Sequence, residues 1–237
     1  RDQPRSRGLG DVYKRQVHSL GECYRKGNPH YDQRSTVPAI VDVTTGAVVN
    51  NDYHDLTTEL ETAWKKYFRP DAPDLYPEAL HDDIDALNDI IYADVNLAVN
   101  LAALVTSQKD YEFYYNKVFD RLDWLEKRLS SRRYLFGDTI TDPDIRLYVT
   151  LARFDLVFYQ KYYVNKKRLV DYPNLWNYAK DLYSHPAFGK NTDFDSMRKR
   201  FYYVDHTPFE DFPRIVPKGP DMSIWEEPND RAAKFAK

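Results

Sequence analysis

Tyr134-Leu135-Phe136-Gly137-Asp138-Thr139-Ile140-Thr141-Asp142-Pro143-Asp144-Ile145-Arg146-Leu147 is the stretch whose reading decides the fold. Thr141 stands at an N-cap position, placed to accept from the backbone N–H of Asp144, and the Asp144 carboxylate is placed to reach back to the N-cap amide. Ile140 and Ile145 occupy the two positions of a hydrophobic staple. A helix is therefore predicted from Asp142 to about Lys161, with Leu147, Leu151, Phe154 and Phe158 on its buried side.

The chain upstream keeps the same helical spacing. Leu80, Ile84, Leu87, Ile91, Val95, Ala98 and Ala102 step at three and four residues, which predicts one long buried helix from Pro77 to about Val105, its proline in the first turn. Ser107 to Asp110 caps a second helix whose buried face is Tyr111, Tyr114, Val118, Leu122, Leu125 and Leu129. Downstream, helical stretches are predicted at Pro173 to Ser184 and Asp193 to Tyr203. Pro208, Pro213, Pro217 and Pro220 then forbid regular structure, so residues 207–237 are expected to form an extended tail that wraps the body.

Before residue 52 the pattern is different. Val37 to Asp42 and Ala47 to Asn51 are β-rich runs joined through Thr44-Thr45-Gly46, which is hairpin chemistry with a glycine available for positive φ. Val17 to Tyr24 has no clear period, and Gly27-Asn28-Pro29 breaks the chain after it. The expected class is α+β: a small β-containing portion over residues 17–69, a boundary near Arg69 to Pro77, and an all-helical domain over 77–206. Residues 1–16 are charged and without period, and Leu9 to Gln16 resemble a translated sequencing adapter. They are expected to be a non-native leader on an N-terminally truncated chain.

With 42% apolar residues in 237, the chain has enough to bury a core. A net charge of −3 gives no electrostatic case for nucleic acid or an anionic membrane surface. No apolar run approaches the roughly 20 residues of a membrane span. A single cysteine, Cys23, excludes an intramolecular disulfide framework and agrees with a reducing, cytoplasmic setting. The histidines at 18, 30, 54, 81, 185 and 206 show no paired metal-ligand spacing, and neither a Gly-rich phosphate loop nor a Gly-x-Ser-x-Gly elbow occurs, so no metal, nucleotide or serine-hydrolase site is expected.

The staple and capping box, within Tyr134 to Asp138 and Thr141 to Leu147, resemble the folding motif in the helical domain of glutathione transferases. Thr36 to Asp42, Thr45 to Asn51, Ile84 to Asn88, Ile91 to Asn96, Asp144 to Leu147 and Arg153 to Asp155 are together similar to the xi class, the glutathionyl-hydroquinone reductases. Ile215 to Pro220 is similar to that class's C-terminal extension. The resemblance implies a partial thioredoxin-like domain (a β-hairpin plus a helix) followed by an all-α glutathione transferase C-terminal domain. It also implies glutathione as co-substrate, a quinone-type or other electrophilic acceptor, and a homodimer.

The family's nucleophile is a cysteine thiolate in a Cys-Pro-Trp type motif, which this chain does not contain and which is expected upstream of Val17. Cys23, followed by Arg25 and Lys26, reads as a packing residue. For glutathione the resemblance implies Val37 and Pro38, a cis-proline pair whose free backbone pairs with the glutathione peptide. It implies Asp52 and Tyr53 where the family has a Glu for the glutathione ammonium and a Ser for its γ-glutamyl carboxylate at a helix N-terminus. A plain helix-capping pair is the alternative. For the acceptor it implies Tyr92, Phe158 and Tyr159, with Phe158 standing on a family tyrosine and so lacking its hydroxyl. Arg146, Arg153 and Asp155 are expected to form an ion-pair network along one helix face. Two functions follow: a glutathione-dependent reductase of glutathionyl-hydroquinones, or a non-catalytic binding or scaffold protein of glutathione transferase fold.

Overall fold

In a computed structural model of the chain, residues 17–204 and 215–236 are described. The expected leader at 1–16 and part of the expected tail lie outside them. The chain divides into two compact units, one ending at Pro73 and the other beginning at Asp74.

The first unit is a helix laid against a hairpin. Helix α1 (Leu20–Gly27) turns Cys23 and Tyr24 inward. The Tyr24 hydroxyl donates to the Thr36 carbonyl at 2.9 Å, and its ring stacks on Tyr31 at 4.5 Å. Gly27 is required by a close approach, since a Cβ there would lie 2.9 Å from the Val48 carbonyl of the hairpin. Strands β1 (Ile40–Val41) and β2 (Val48–Asn50) pair antiparallel, Ile40 with Asn50 and Val41 with Val48, the register shifting between them.

The turn between the strands is held by the Asp42 carboxylate. It accepts from the N–H of Thr44 at 2.6 Å and of Thr45 at 3.0 Å, while Gly46 takes φ 71°. β1 is shorter than the run Val37 to Asp42 because Pro38 brings no N–H to the ladder. Helix α2 (Leu56–Thr62) and a 3₁₀ turn (Lys65–Tyr67) complete the unit.

The second unit is helical throughout. After a 3₁₀ turn (Glu78–Leu80), the single helix expected over 77–105 is instead α3 (His81–Ile91), a π turn (Tyr92–Asn96) and α4 (Ala98–Leu104). The wide turn closes through Leu97 N–H to the Tyr92 carbonyl at 2.8 Å. It adds one residue to the turn, and Ala98 and Val99 just beyond it are both fully buried.

Helix α5 (Gln108–Arg128) starts as read, Ser107 Oγ accepting from the Asp110 N–H at 3.1 Å. Helix α6 (Asp142–Arg153) opens on the capping box, with the Thr141 N–H and hydroxyl both donating to Asp144 Oδ2 at 2.8 and 3.0 Å. It too gives way to a π turn (Phe154–Phe158), followed by α7 (Tyr159–Lys161).

A 3₁₀ turn (Leu169–Asp171) leads into α8 (Pro173–Ser184), then α9 (Pro186–Gly189), α10 (Phe194–Lys199) and a third π turn (Arg200–Val204). The N-terminus of α8 is capped from α5, the Glu126 carboxylate accepting from the N–H of Asn174 at 2.9 Å and of Leu175 at 2.8 Å. Leu122, Leu125, Leu147, Leu151, Phe154 and Leu175 lie in one fully buried core.

The C-terminal segment is not simply extended. It carries a 3₁₀ turn (Met222–Glu226) and α11 (Arg231–Lys234), and it is anchored at Trp225 and Arg231. Trp225 meets Trp176, Phe194 and Tyr183 at centroid distances of 5.0, 5.4 and 5.6 Å. The buried Arg231 guanidinium has carbonyls as its hydrogen-bond acceptors: Arg133, Arg132 and Leu129 near the end of α5, and Asn174 at 3.2 Å. Among the described residues, no helix is long and apolar enough to cross a membrane.

Candidate functional site

In the first unit the Val37–Pro38 bond is cis. Val37 is 79% exposed, and among the described residues neither its N–H nor its C=O has a hydrogen-bond partner, although the Thr36 carbonyl is taken by Tyr24. An exposed strand-like backbone beside a short hairpin is the arrangement that an extended peptide adds to.

Asp52 and Tyr53 follow β2, and here the structure departs from the expectation. The helix starts at Leu56, so the pair stands in the turn ahead of it rather than at its N-terminus. Asp52 Oδ1 accepts from the N–H of His54 at 2.8 Å and of Asp55 at 3.3 Å, and the Asp52 N–H is held by Asn50 Oδ1 at 2.7 Å. The N–H groups expected to receive a ligand carboxylate are therefore already occupied by Asp52. Its Oδ2 has no partner among the described residues and keeps the charge an ammonium group would meet. Tyr53 is about half exposed.

Cys23 lies within α1, buried. Burial keeps that thiol out of direct reach of a substrate.

In the second unit the expected acceptor residues are not brought together. Tyr92 opens the first π turn, half-buried. Phe158 ends the second and is a core residue, 3% exposed, its ring 5.5 Å from Tyr162 and 6.2 Å from Phe201. Tyr159, the next residue, lines a cleft with the C-terminal segment, and neither Tyr92 nor Phe158 is among that cleft's lining.

Among the described residues, Arg146 and Asp155 of the expected network stand in two separate arrangements, and Arg153 donates to the Val149 carbonyl. Arg146 Nε pairs with Asp142 Oδ2 at 2.7 Å, where the Asn88 amide also donates at 2.8 Å, all three side chains buried. Asp155 turns to the backbone, accepting from the N–H of Leu169 at 2.6 Å and of Val170 at 3.3 Å. Burial raises its carboxyl above the ordinary value, and those N–H groups pull it part of the way back.

Sequence reasoning missed the polar link at the first π turn. Asn96 Nδ2 donates to Thr150 Oγ1 at 2.5 Å and to the Arg146 carbonyl at 3.0 Å, tying the turn to α6. The signal was local, an asparagine within an apolar helical run, but its partners stand 50 and 54 residues away. Among the described residues, no group of three or more His, Cys, Asp or Glu is placed to hold a metal ion.

Comparison with known proteins supplies the context for these positions. Residues 108–181 match the glutathione S-transferase C-terminal domain family. The glutathionyl-hydroquinone reductase YqjG of Escherichia coli is 36% identical over 216 residues, covering 91% of this chain, and the chain spans 65% of the length of that relative. The glutathione-bound structure of YqjG superposes with a TM-score of 0.86 at 34% identity, covering 94% of this chain and 71% of that one. A glutathione transferase from Gordonia bronchialis superposes with a TM-score of 0.88 at 40% identity, covering 93% and 68%. Glutathione transferase Xi 1 from Trametes versicolor does so with a TM-score of 0.79 at 37% identity, covering 86% and 70%.

Proposed function

The chain belongs to the glutathione transferase family, in its xi class, and on that basis we propose that it serves the glutathione-dependent reduction of glutathionyl-hydroquinones. A cysteine thiolate attacks the sulfur of the conjugate. The carbon–sulfur bond breaks, the ring carbon takes a proton, and an enzyme–glutathione mixed disulfide forms. The thiolate of a free glutathione then attacks the glutathionyl sulfur, releasing glutathione disulfide and restoring the enzyme thiolate. One conjugate and one glutathione thus give one hydroquinone and one glutathione disulfide.

Within this scheme the Val37 backbone, beside Pro38, pairs with the glutathione peptide, and Asp52 Oδ2 receives its ammonium group. Tyr53 closes over the same end. The Tyr92 hydroxyl orients a hydroquinone oxygen, and Phe158, a core residue, is left out of the acceptor site. The observation that carries the reading is the exposed, unpartnered Val37 backbone, in a chain 34% identical to a protein whose structure holds glutathione. A cytoplasmic homodimer is the setting we propose, in keeping with a single cysteine and no disulfide framework.

The thiolate is not assigned to Cys23, which is 6% exposed. The full-length gene product is expected to convert a glutathionyl-hydroquinone with that one-to-one stoichiometry, and Cys23→Ala to leave the rate unchanged. Loss of activity in Cys23→Ala would move the nucleophile to Cys23. The 237-residue chain is expected to bind glutathione with little turnover. Asp52→Asn keeps Oδ1 for the turn but removes the charge, and is expected to weaken glutathione binding about tenfold in calorimetry, a loss of about 1.4 kcal/mol. Glutathione binding by the full-length protein without any reductase turnover would select the other reading, a non-catalytic glutathione-binding protein.

A further inference from the structure

Residues 62–70, Thr62-Ala63-Trp64-Lys65-Lys66-Tyr67-Phe68-Arg69-Pro70, are all exposed, and they set three aromatic rings and three cations in a run without a carboxylate. Trp64 is 47%, Tyr67 71% and Phe68 40% exposed, and Leu60, one turn back in α2, is 40% exposed. Large apolar side chains scattered singly over a surface need no explanation, but a contiguous group among charges marks an interaction site. The net charge of −3 belongs to the chain as a whole and hides a local excess of the opposite sign.

The turn holds its own shape. The Tyr67 N–H donates to the Trp64 carbonyl at 2.8 Å, and the Phe68 N–H to the Lys65 carbonyl at 3.1 Å. The 3₁₀ spacing puts Trp64 and Tyr67 on one side, ring centroids 6.0 Å apart, with Lys66 Nζ 4.9 Å from the Tyr67 centroid. Backbone donors satisfied within the turn carry no desolvation cost into a less polar medium.

The cations are free to meet an anionic surface. Among the described residues Lys65 and Lys66 make no ion pair, and Arg69 meets Asp71 only through Nε at 3.7 Å, the two side chains 81% and 79% exposed. A pair so placed contributes little. Upstream, the Glu59 carboxylate of α2 is engaged by the Asn50 amide at 2.5 Å. Rings with a polar edge interleaved with Lys and Arg are the composition of segments that rest on a bilayer, the rings at headgroup depth and the cations against anionic lipid. One cation near such a surface strengthens adsorption roughly fivefold, and three together roughly a hundredfold.

We propose that residues 62–70 are a docking surface for an anionic lipid bilayer, with Trp64, Tyr67 and Phe68 entering the headgroup layer and Lys65, Lys66 and Arg69 lying against its charge. The contact is peripheral, made by a single exposed turn, and does not depend on the proposed reductase activity.

The test is co-sedimentation of the chain with phosphatidylcholine vesicles containing about 30 mol% phosphatidylserine, at low ionic strength. Binding is expected, at least tenfold weaker on pure phosphatidylcholine and at about 0.5 M salt. The double variant Lys65→Gln with Lys66→Gln, and separately Trp64→Ser with Tyr67→Ser, are each expected to weaken it at least tenfold. Because all four side chains are exposed, both variants are expected to keep the unfolding midpoint of the unmodified chain, which is checked by circular dichroism. No binding to the anionic vesicles would overturn the proposal, as would equal binding to pure phosphatidylcholine. Binding that both double variants retain would place the contact on another surface and overturn it equally. Binding of polyglutamate in the absence of vesicle binding would assign the patch to an acidic protein partner instead.

Discussion

At Asp144 four donors converge on two oxygens. The Leu135 N–H at 3.0 Å and the Tyr178 hydroxyl at 2.7 Å reach Oδ1, and the Thr141 N–H and hydroxyl reach Oδ2. The carboxylate is fully buried, and so is the Tyr178 hydroxyl it accepts from. Removing an acceptor here is worse than losing the bonds, because several buried donors are left unsatisfied at once. Asp144→Ala is expected to lower the unfolding free energy by about 3–5 kcal/mol in urea titration, and a loss under about 1 kcal/mol would refute this role. Asp42 is the opposite case, exposed at the hairpin turn. The N–H groups of Thr45 and Thr44 hold its anion and lower its carboxyl below 3.8. A lowered folded value means that the support is complete above the unfolded value and fades as pH falls through the folded one. An NMR titration of the Asp42 carboxyl carbon should therefore show a midpoint below 3.8, and one at or above it would contradict the hydrogen-bonded turn.

At the scale of elements, the π turns decide which side chains meet. The first places Asn96 against Thr150 and the Arg146 carbonyl, so Asn96→Ala leaves both without that donor. It is expected to cost about 1–2 kcal/mol and to lower the thermal midpoint, whereas an unchanged midpoint would show that the link is idle. This is also where the sequence stops being legible. The start of α6 could be read from Thr141 and Asp144 because a capping box involves residues three apart, and α5 from Ser107 and Asp110 for the same reason. The hairpin was legible through Gly46 and its flanking β-branched runs. None of the three π turns could be read, since a one-residue shift, as at the first, leaves the apolar spacing of Ile91, Val95 and Ala98 nearly unchanged. The entry to α2 misled for a related reason: Asp52 looks like a residue at a helix start, but three residues of turn intervene before Leu56. Phe158 and Tyr159 are neighbours in sequence and were read as one site, yet successive helical residues point about 100° apart, one into the core and the other to the cleft. The cap of α8 by Glu126 had no local trace, its partners lying 48 and 49 residues on.

For the whole molecule, the imbalance between the units matters most. The connected core runs from Leu87 to Trp225, entirely within the second unit, while the first buries only Cys23, Tyr24 and Leu56 among its described apolar residues. A chain beginning at Asp74 is therefore expected to keep its helical circular dichroism and unfold in one cooperative thermal transition. A broad, non-cooperative loss of signal would show that the core is not self-sufficient. A chain ending at Pro73 has too little apolar burial to fold by itself. Arg231 adds a dimension of time to this picture. Its acceptors at Leu129, Arg132 and Arg133 precede it by 102, 99 and 98 residues. At about 5–20 residues per second, a ribosome makes those carbonyls roughly 5–20 s before the guanidinium that caps them. Through that interval the C-terminal end of α5 waits for a partner not yet synthesised, so the helical unit is completed from its far end, late in translation.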